Sequence, residues 1–230
     1  MPSKARKAFD ANTKDIERLL ELHTKEGGVQ KGRRYGLEVL NKSAIVLITA
    51  YWEAYCEDIA AEGLEHIVKH SKSAEALPKE LKKEIAKVIN SNKNELELWK
   101  IADDGWKTYL KDRLSELQAH RNRKLNAPKS YNIDELFRST VGISKISSEW
   151  RWAKKMTAKR AREKLDKYVT LRGEIAHRGK YSESVKKADI DDYFAFIKQL
   201  ASKTGGAVNR HVKSITGRPL WLTRRFRRRS

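Results

Sequence analysis

Turn-forming residues are scarce in this chain: 12 glycines and 4 prolines punctuate 230 residues. An all-β fold needs a tight turn every few residues, and this sequence cannot supply them. Lys, Glu, Ala and Leu are abundant instead, and all four favour helix. No stretch of alternating hydrophobicity is long enough for a strand. The apolar positions recur every three or four residues, the spacing of one helix face. The expectation is an all-α, antiparallel helical bundle.

The periodicity predicts helices at about 12–25, 35–70, 78–90, 94–101, 106–121, 133–140, 157–176 and 189–203, the last with a possible continuation to 213 through Gly205-Gly206. Residues 1–9 read as a loose basic start, 125–131 as a loop and 141–156 as irregular. The helix over 35–70 is apolar nearly all round at its centre, Ala44 to Trp52, and is the candidate core helix. That apolar run is far shorter than the roughly 20 residues of a membrane span. Trp99, Trp106, Trp150 and Trp152 read as core residues. The chain divides into an N-terminal helical segment (1–34), a helical domain (35–214) and a basic flexible tail (215–230).

Charge narrows the function. The formal net charge is +20, of which residues 208–230, with eight Lys or Arg and no acid, supply +8. A basic body with a more basic tail calls for an acidic partner, nucleic acid or an anionic membrane surface. The single cysteine, Cys56, permits neither an intramolecular disulfide nor a cysteine-rich zinc site and fits a cytoplasmic setting. No apolar run follows the basic N-terminus, so no signal peptide is read there. His23, His66, His70, His120 and His211 form no metal-ligand cluster, and no Gly-rich phosphate loop occurs.

One helix carries a pattern with chemistry in it. In Leu171-Arg172-Gly173-Glu174-Ile175-Ala176-His177-Arg178-Gly179, Arg172 occupies an apolar-stripe position and His177 comes at the helix end. A charge on a buried seam needs a partner or a task. An imidazole titrates near neutrality and can take the proton of a ribose 2′-hydroxyl. A guanidinium can clamp the phosphate and offset the charge of the transition state. By spacing alone the pattern is weak, because Arg18/His23 and Arg113/His120 satisfy it too. The ordinary reading of each pair is a helix surface. Only the third pair adds the stripe position, small neighbours and a helix end.

Three blocks in order resemble the HEPN superfamily, RiboL-PSP-HEPN type, over about residues 35–205. They are Ala44 to Tyr55 on the core helix; Leu125-Asn-Ala-Pro with Asn132 to Phe137, Val141-Gly-Ile and Ser148-Glu-Trp150; and Leu171 to Gly179. The resemblance implies a helical bundle that pairs as a homodimer. It implies a metal-independent endoribonuclease with no cofactor, whose catalytic pair maps onto Arg172 and His177. Toxin–antitoxin or antiviral defence would be its setting, with an antitoxin or defence-system partner. The residue after the Arg, usually polar in the family, is Gly173 here. Glu53 falls where similar proteins often carry an acid, and Glu174 is a second supporting carboxylate. Arg178 and the tail residues Arg224, Arg225, Arg227 and Arg228 are the expected RNA contacts. The alternative is a non-catalytic RNA-binding or scaffold module, or, for the tail, adhesion to a membrane surface.

Overall fold

The apolar run centred on Ala44–Trp52 becomes the axis of the molecule. In the computed structural model, residues 2–27, 37–92, 94–119, 127–152, 154–178 and 185–222 are described, without the side chains at 27, 95, 97, 177 and 178. The helices are α1 (Lys4–Gly27), α2 (Glu38–His70), α3 (Lys79–Ser91), α4 (Trp106–Ala119), α5 (Ser130–Val141), α6 (Ala158–Arg178) and α7 (Lys187–Thr216). Short 3-10 turns lie at Ala74–Ala76, Glu95–Ile101 and Ile146–Glu149, and the described residues contain no sheet. The fold is all-α, a helical bundle. No described helix is long and apolar enough to cross a membrane.

At 33 residues, α2 is the longest element and packs against α1, α4, α5, α6 and α7. Ala44, Ile45, Ile48, Trp52, Tyr55, Cys56, Ile59 and Leu64 are all buried, which is why its pattern shows no polar face. Trp150 is fully buried against it, edge-on to Trp52 at 5.9 Å, and its indole N–H donates to Thr204 Oγ1 of α7. A buried indole needs such an acceptor.

Four elements depart from the sequence reading, most of them for reasons that lie outside the local stretch. The supposed loose start is helical: α1 begins at Lys4 and buries Ala5 and Phe9. Its first N–H groups are capped from α2, where the Glu62 carboxylate accepts from Lys4 N at 3.1 Å and Ala5 N at 3.0 Å. The last helix is longer than expected, running unbroken through Gly205-Gly206 to Thr216. Gly205 is a close-approach residue: a Cβ there would sit 2.5 Å from the Tyr55 hydroxyl, which donates to the Ala201 carbonyl.

Ile215 and Thr216, assigned by sequence to the flexible tail, are the last residues of α7, which ends on the left-handed Gly217. The chain then folds back. The Asn209 amide pairs with both backbone groups of Trp221, and Leu220 and Trp221 pack on the core. Finally, Trp99 is not a core residue but 76% exposed. The segment around it is a 3-10 turn rather than an α-helix, so the register that would aim it inward does not apply.

Candidate active site

The stripe on α6 is built as the periodicity requires. Ala161, Leu165 and Val169 are buried against the bundle, and Arg172 continues the same face one turn later. Arg172 is half-buried, and its Nε is enclosed with no hydrogen-bond partner among the described residues. Buried donors are nearly always satisfied, so an enclosed guanidinium N–H without a partner marks either strain or a place for a ligand.

Two neighbours feel its charge. One is Glu53 of α2, whose carboxyl is pushed up to about 7 by burial and by the nearby Glu57, against the downward pull of Arg172. Burial, the larger effect, and the like charge of Glu57 together outweigh the attraction of Arg172. The same acids, after burial, raise the thiol of Cys56, which is a fully enclosed core residue. The other neighbour is Tyr193 of α7, whose hydroxyl is held well above its ordinary range by burial. Thr49 Oγ1 donates to the Ile45 carbonyl at 2.8 Å, and Tyr193 Oη lies 2.9 Å from the same Oγ1. With the threonine proton so engaged, Tyr193 is the donor of that pair, and its oxygen keeps acceptor capacity. Tyr168, one turn before Arg172, stacks on Tyr193 with centroids 4.0 Å apart. Its hydroxyl donates toward Asp192 Oδ2 at 3.0 Å and the Asp189 carbonyl at 3.1 Å.

The other expected residues divide. Glu53 is brought beside Arg172. Glu174 is turned away from it, since residues two apart lie on opposite sides of a helix. It lines an open cleft of about 990 Å³ between α6 and α7, with Lys167, Thr170, Asp189 and Asp192. His177 and Arg178 complete the last turn of α6, but their side chains lie outside the described residues, as do Arg224, Arg225, Arg227 and Arg228. Gly173 faces open space: a Cβ added there would meet nothing within 4 Å.

Three of the remaining histidines have partners elsewhere in the bundle, and His120 lies outside the described residues. His66 and His70 pack with ring centroids 4.4 Å apart and planes tilted by 50°, and His66 Nε2 lies 3.1 Å from the Arg218 carbonyl. Burial lowers both of these imidazoles, with His70 adding to the effect on His66. His211 Nε2 lies 2.9 Å from the Val141 carbonyl. Among the described residues, no three His, Cys, Asp or Glu side chains gather as a metal site would require. Sequence reasoning missed Glu57, Thr49 and Tyr193. Glu57 and Thr49, each one turn from Glu53 on α2, carried a local signal. Nothing in the order of residues indicates that Tyr193, some twenty positions past Arg172, returns to its side.

Fold and seam together describe a helical bundle that holds an arginine half inside its core, near the end of a helix that also carries a histidine. The RiboL-PSP-HEPN family model matches residues 11–209, and the chain belongs to that family. No curated protein and no solved structure matches it. Membership suggests an RNA-related, nuclease-type role.

Proposed function

We propose that the protein is an endoribonuclease that cleaves RNA through the ribose 2′-hydroxyl, with Arg172 and His177 as the catalytic pair. The observation that carries this reading is the enclosed Nε of Arg172, without a partner among the described residues, five residues before His177 on one helix. The imidazole takes the 2′-hydroxyl proton, and the 2′-oxygen attacks the adjacent phosphorus. The bond to the 5′-oxygen breaks, and the leaving oxygen takes up a proton. The products are a 2′,3′-cyclic phosphate and a 5′-hydroxyl. Arg172 offsets the charge that gathers on the phosphate oxygens, a task suited to its planar fork of donors. His177 stands in the last turn of α6, five residues after Arg172. Glu53 positions Arg172 from α2, and Glu174 acts at most from the far side of the helix. No metal enters this route.

Two copies of the chain would bring two Arg–His pairs to one cleft, as the family resemblance implies. Light scattering that finds only monomer at micromolar concentration would count against a composite site. Arg178 and the tail arginines Arg224, Arg225, Arg227 and Arg228 supply sequence-independent attraction to phosphate. Toxin–antitoxin or antiviral defence is the setting by family resemblance, with a protein antitoxin as the corresponding partner.

Gly173 favours a second reading, a module that binds RNA without cutting it, because the polar residue usual at that position is missing. The deciding assay is cleavage of a broad RNA pool in excess EDTA by the wild type and by His177→Ala. Cleavage by the wild type alone supports the nuclease and its site. A pure dimer that binds RNA but never cuts it supports the module.

A further inference from the structure

A concentrated positive surface lies at the opposite end of α6 from Arg172. From residue 150 to 162 the chain has six Lys or Arg and no acid. Arg151, Lys154, Lys155, Lys159 and Arg160 are exposed, and Arg162 is half-buried. Elsewhere the surface cations are commonly neutralised in place: Lys83 by Glu80 at 3.1 Å, Lys87 by Glu84 at 2.9 Å, Lys187 by Asp191 at 2.8 Å, and Arg138 by Glu84 and Glu135. Here the compensation is thin. Lys159 reaches Glu163 only at 3.9 Å, with the two side chains 80% and 62% exposed. Arg160 spends one N–H on the Lys155 carbonyl. Arg162 and Lys145 act on Asp134, whose carboxylate already accepts two hydrogen bonds from Ser147.

The arrangement also works against the helix. The first turn of α6 has no acid and carries Lys159 and Arg160, where the macrodipole favours negative charge. Such a cluster raises the free energy of the isolated protein, and an anionic partner relieves it. The stretch exposes no large apolar side chain: Trp152 is partly buried against Phe196 at 5.8 Å, and the exposed hydrophobics lie elsewhere. Insertion into a lipid surface needs apolar groups that this face lacks. A phosphodiester chain needs only the cations. Positions 160 and 178 are five helical turns apart and share a line along α6, with the exposed Lys167 between them. That line leads to the Arg172–His177 end, and Arg160 stands about 18 Å along the axis from Arg172.

We propose that the 151–162 surface is a second RNA-binding site, which grips the phosphate backbone of the strand several nucleotides away from the bond to be cut. It rests on the endoribonuclease reading for what happens at the far end of α6, but the binding itself does not depend on cleavage. The test is a variant carrying Lys154→Gln, Lys155→Gln, Lys159→Gln and Arg160→Gln, all exposed positions, with a melting temperature no lower than the wild type's as the check on folding.

In a His177→Ala background, fluorescence anisotropy with a long single-stranded RNA measures Kd across a salt series. The expected result is affinity weakened at least tenfold at low salt and a shallower log Kd against log salt, by about 3 for four lost phosphate contacts. In the His177-intact protein, KM for long RNA rises while cleavage of a dinucleotide, too short to reach the patch, keeps its rate. An unchanged salt slope overturns the proposal, and so does loss of binding to phosphatidylserine vesicles with RNA affinity intact. Should no RNA be cut at all, the endoribonuclease reading fails while the binding series still decides this site.

Discussion

Arg113 and Arg172 satisfy the same sequence pattern, sit half-buried on helices that pack against α2, and meet different fates. On α4, Arg113 donates to Glu116 Oε2 and to Ser139 Oγ, both at 3.2 Å. Its guanidinium is tied down by a surface acid and a neighbouring helix. On α6, Arg172 stands beside a carboxyl whose pKa burial raises to about 7, and its Nε is enclosed without a partner among the described residues. The first arginine is spent on structure. The second has an enclosed N–H without a partner among the described residues, which is what the proposed phosphate contact would use. Arg18, the third match, is exposed on α1, while His23 after it is buried, so that pair does not face one site.

The sharpest way to break this contrast is to delete each arginine. Arg172→Ala or His177→Ala should slow single-turnover RNA cleavage by roughly 10²–10⁴-fold, the usual range for a lost acid–base group or charge-stabilising donor. Arg172→Lys should recover little, because an ammonium cannot present the planar fork. Arg113→Ala should leave the rate unchanged, and equal losses in both would erase the distinction.

Stability should separate the pair in the opposite sense at mildly acid pH. Arg113→Ala should cost about 1 kcal/mol in urea unfolding, the value of its exchanged hydrogen bonds, with little dependence on pH. Arg172→Ala removes the cation beside Glu53, so its cost should be small near pH 5, where Glu53 holds its proton, and larger near pH 8.

Glu53→Gln isolates the carboxyl itself. The folded state holds this proton up to about 7, whereas an unperturbed glutamate carboxyl releases it near 4.5. Between those values the folded protein binds more protons than the unfolded chain, so stability falls as pH rises through the window. The Gln variant escapes that loss. Its Tm should match the wild type near pH 5 and exceed it near pH 8. A wild type that gains stability across that range relative to the variant would contradict the account.

The smallest effect is expected at Gly173. Asn fits the open space there and should stabilise α6 by a few tenths of a kcal/mol in thermal unfolding, from helix propensity alone. It also restores a side chain usual in the family, and the cleavage rate should rise. A lower rate would mean that the glycine itself serves the site.

Much of this was legible in the order of residues. The long core helix, the stripe on α6 and the anomaly of Arg172 follow from periodicity, and the family from three blocks in sequence. What escaped was supplied from a distance. Glu62 starts α1 from α2, Tyr55 requires Gly205 and carries α7 past two glycines, and Asn209 holds Trp221. The polar environment of Arg172 is likewise assembled from three helices, so Tyr193 could not be read beside it. Glu174 shows the converse: close in sequence to Arg172, it faces the other side of α6.

End-group analysis of the RNA fragments tests the central claim most directly. With wild-type protein in EDTA, the account predicts 2′,3′-cyclic phosphate and 5′-hydroxyl ends, with production lost in Arg172→Ala and kept in Arg113→Ala. Fragments with 5′-phosphates, or cyclic ends made equally well by Arg172→Ala, would contradict it.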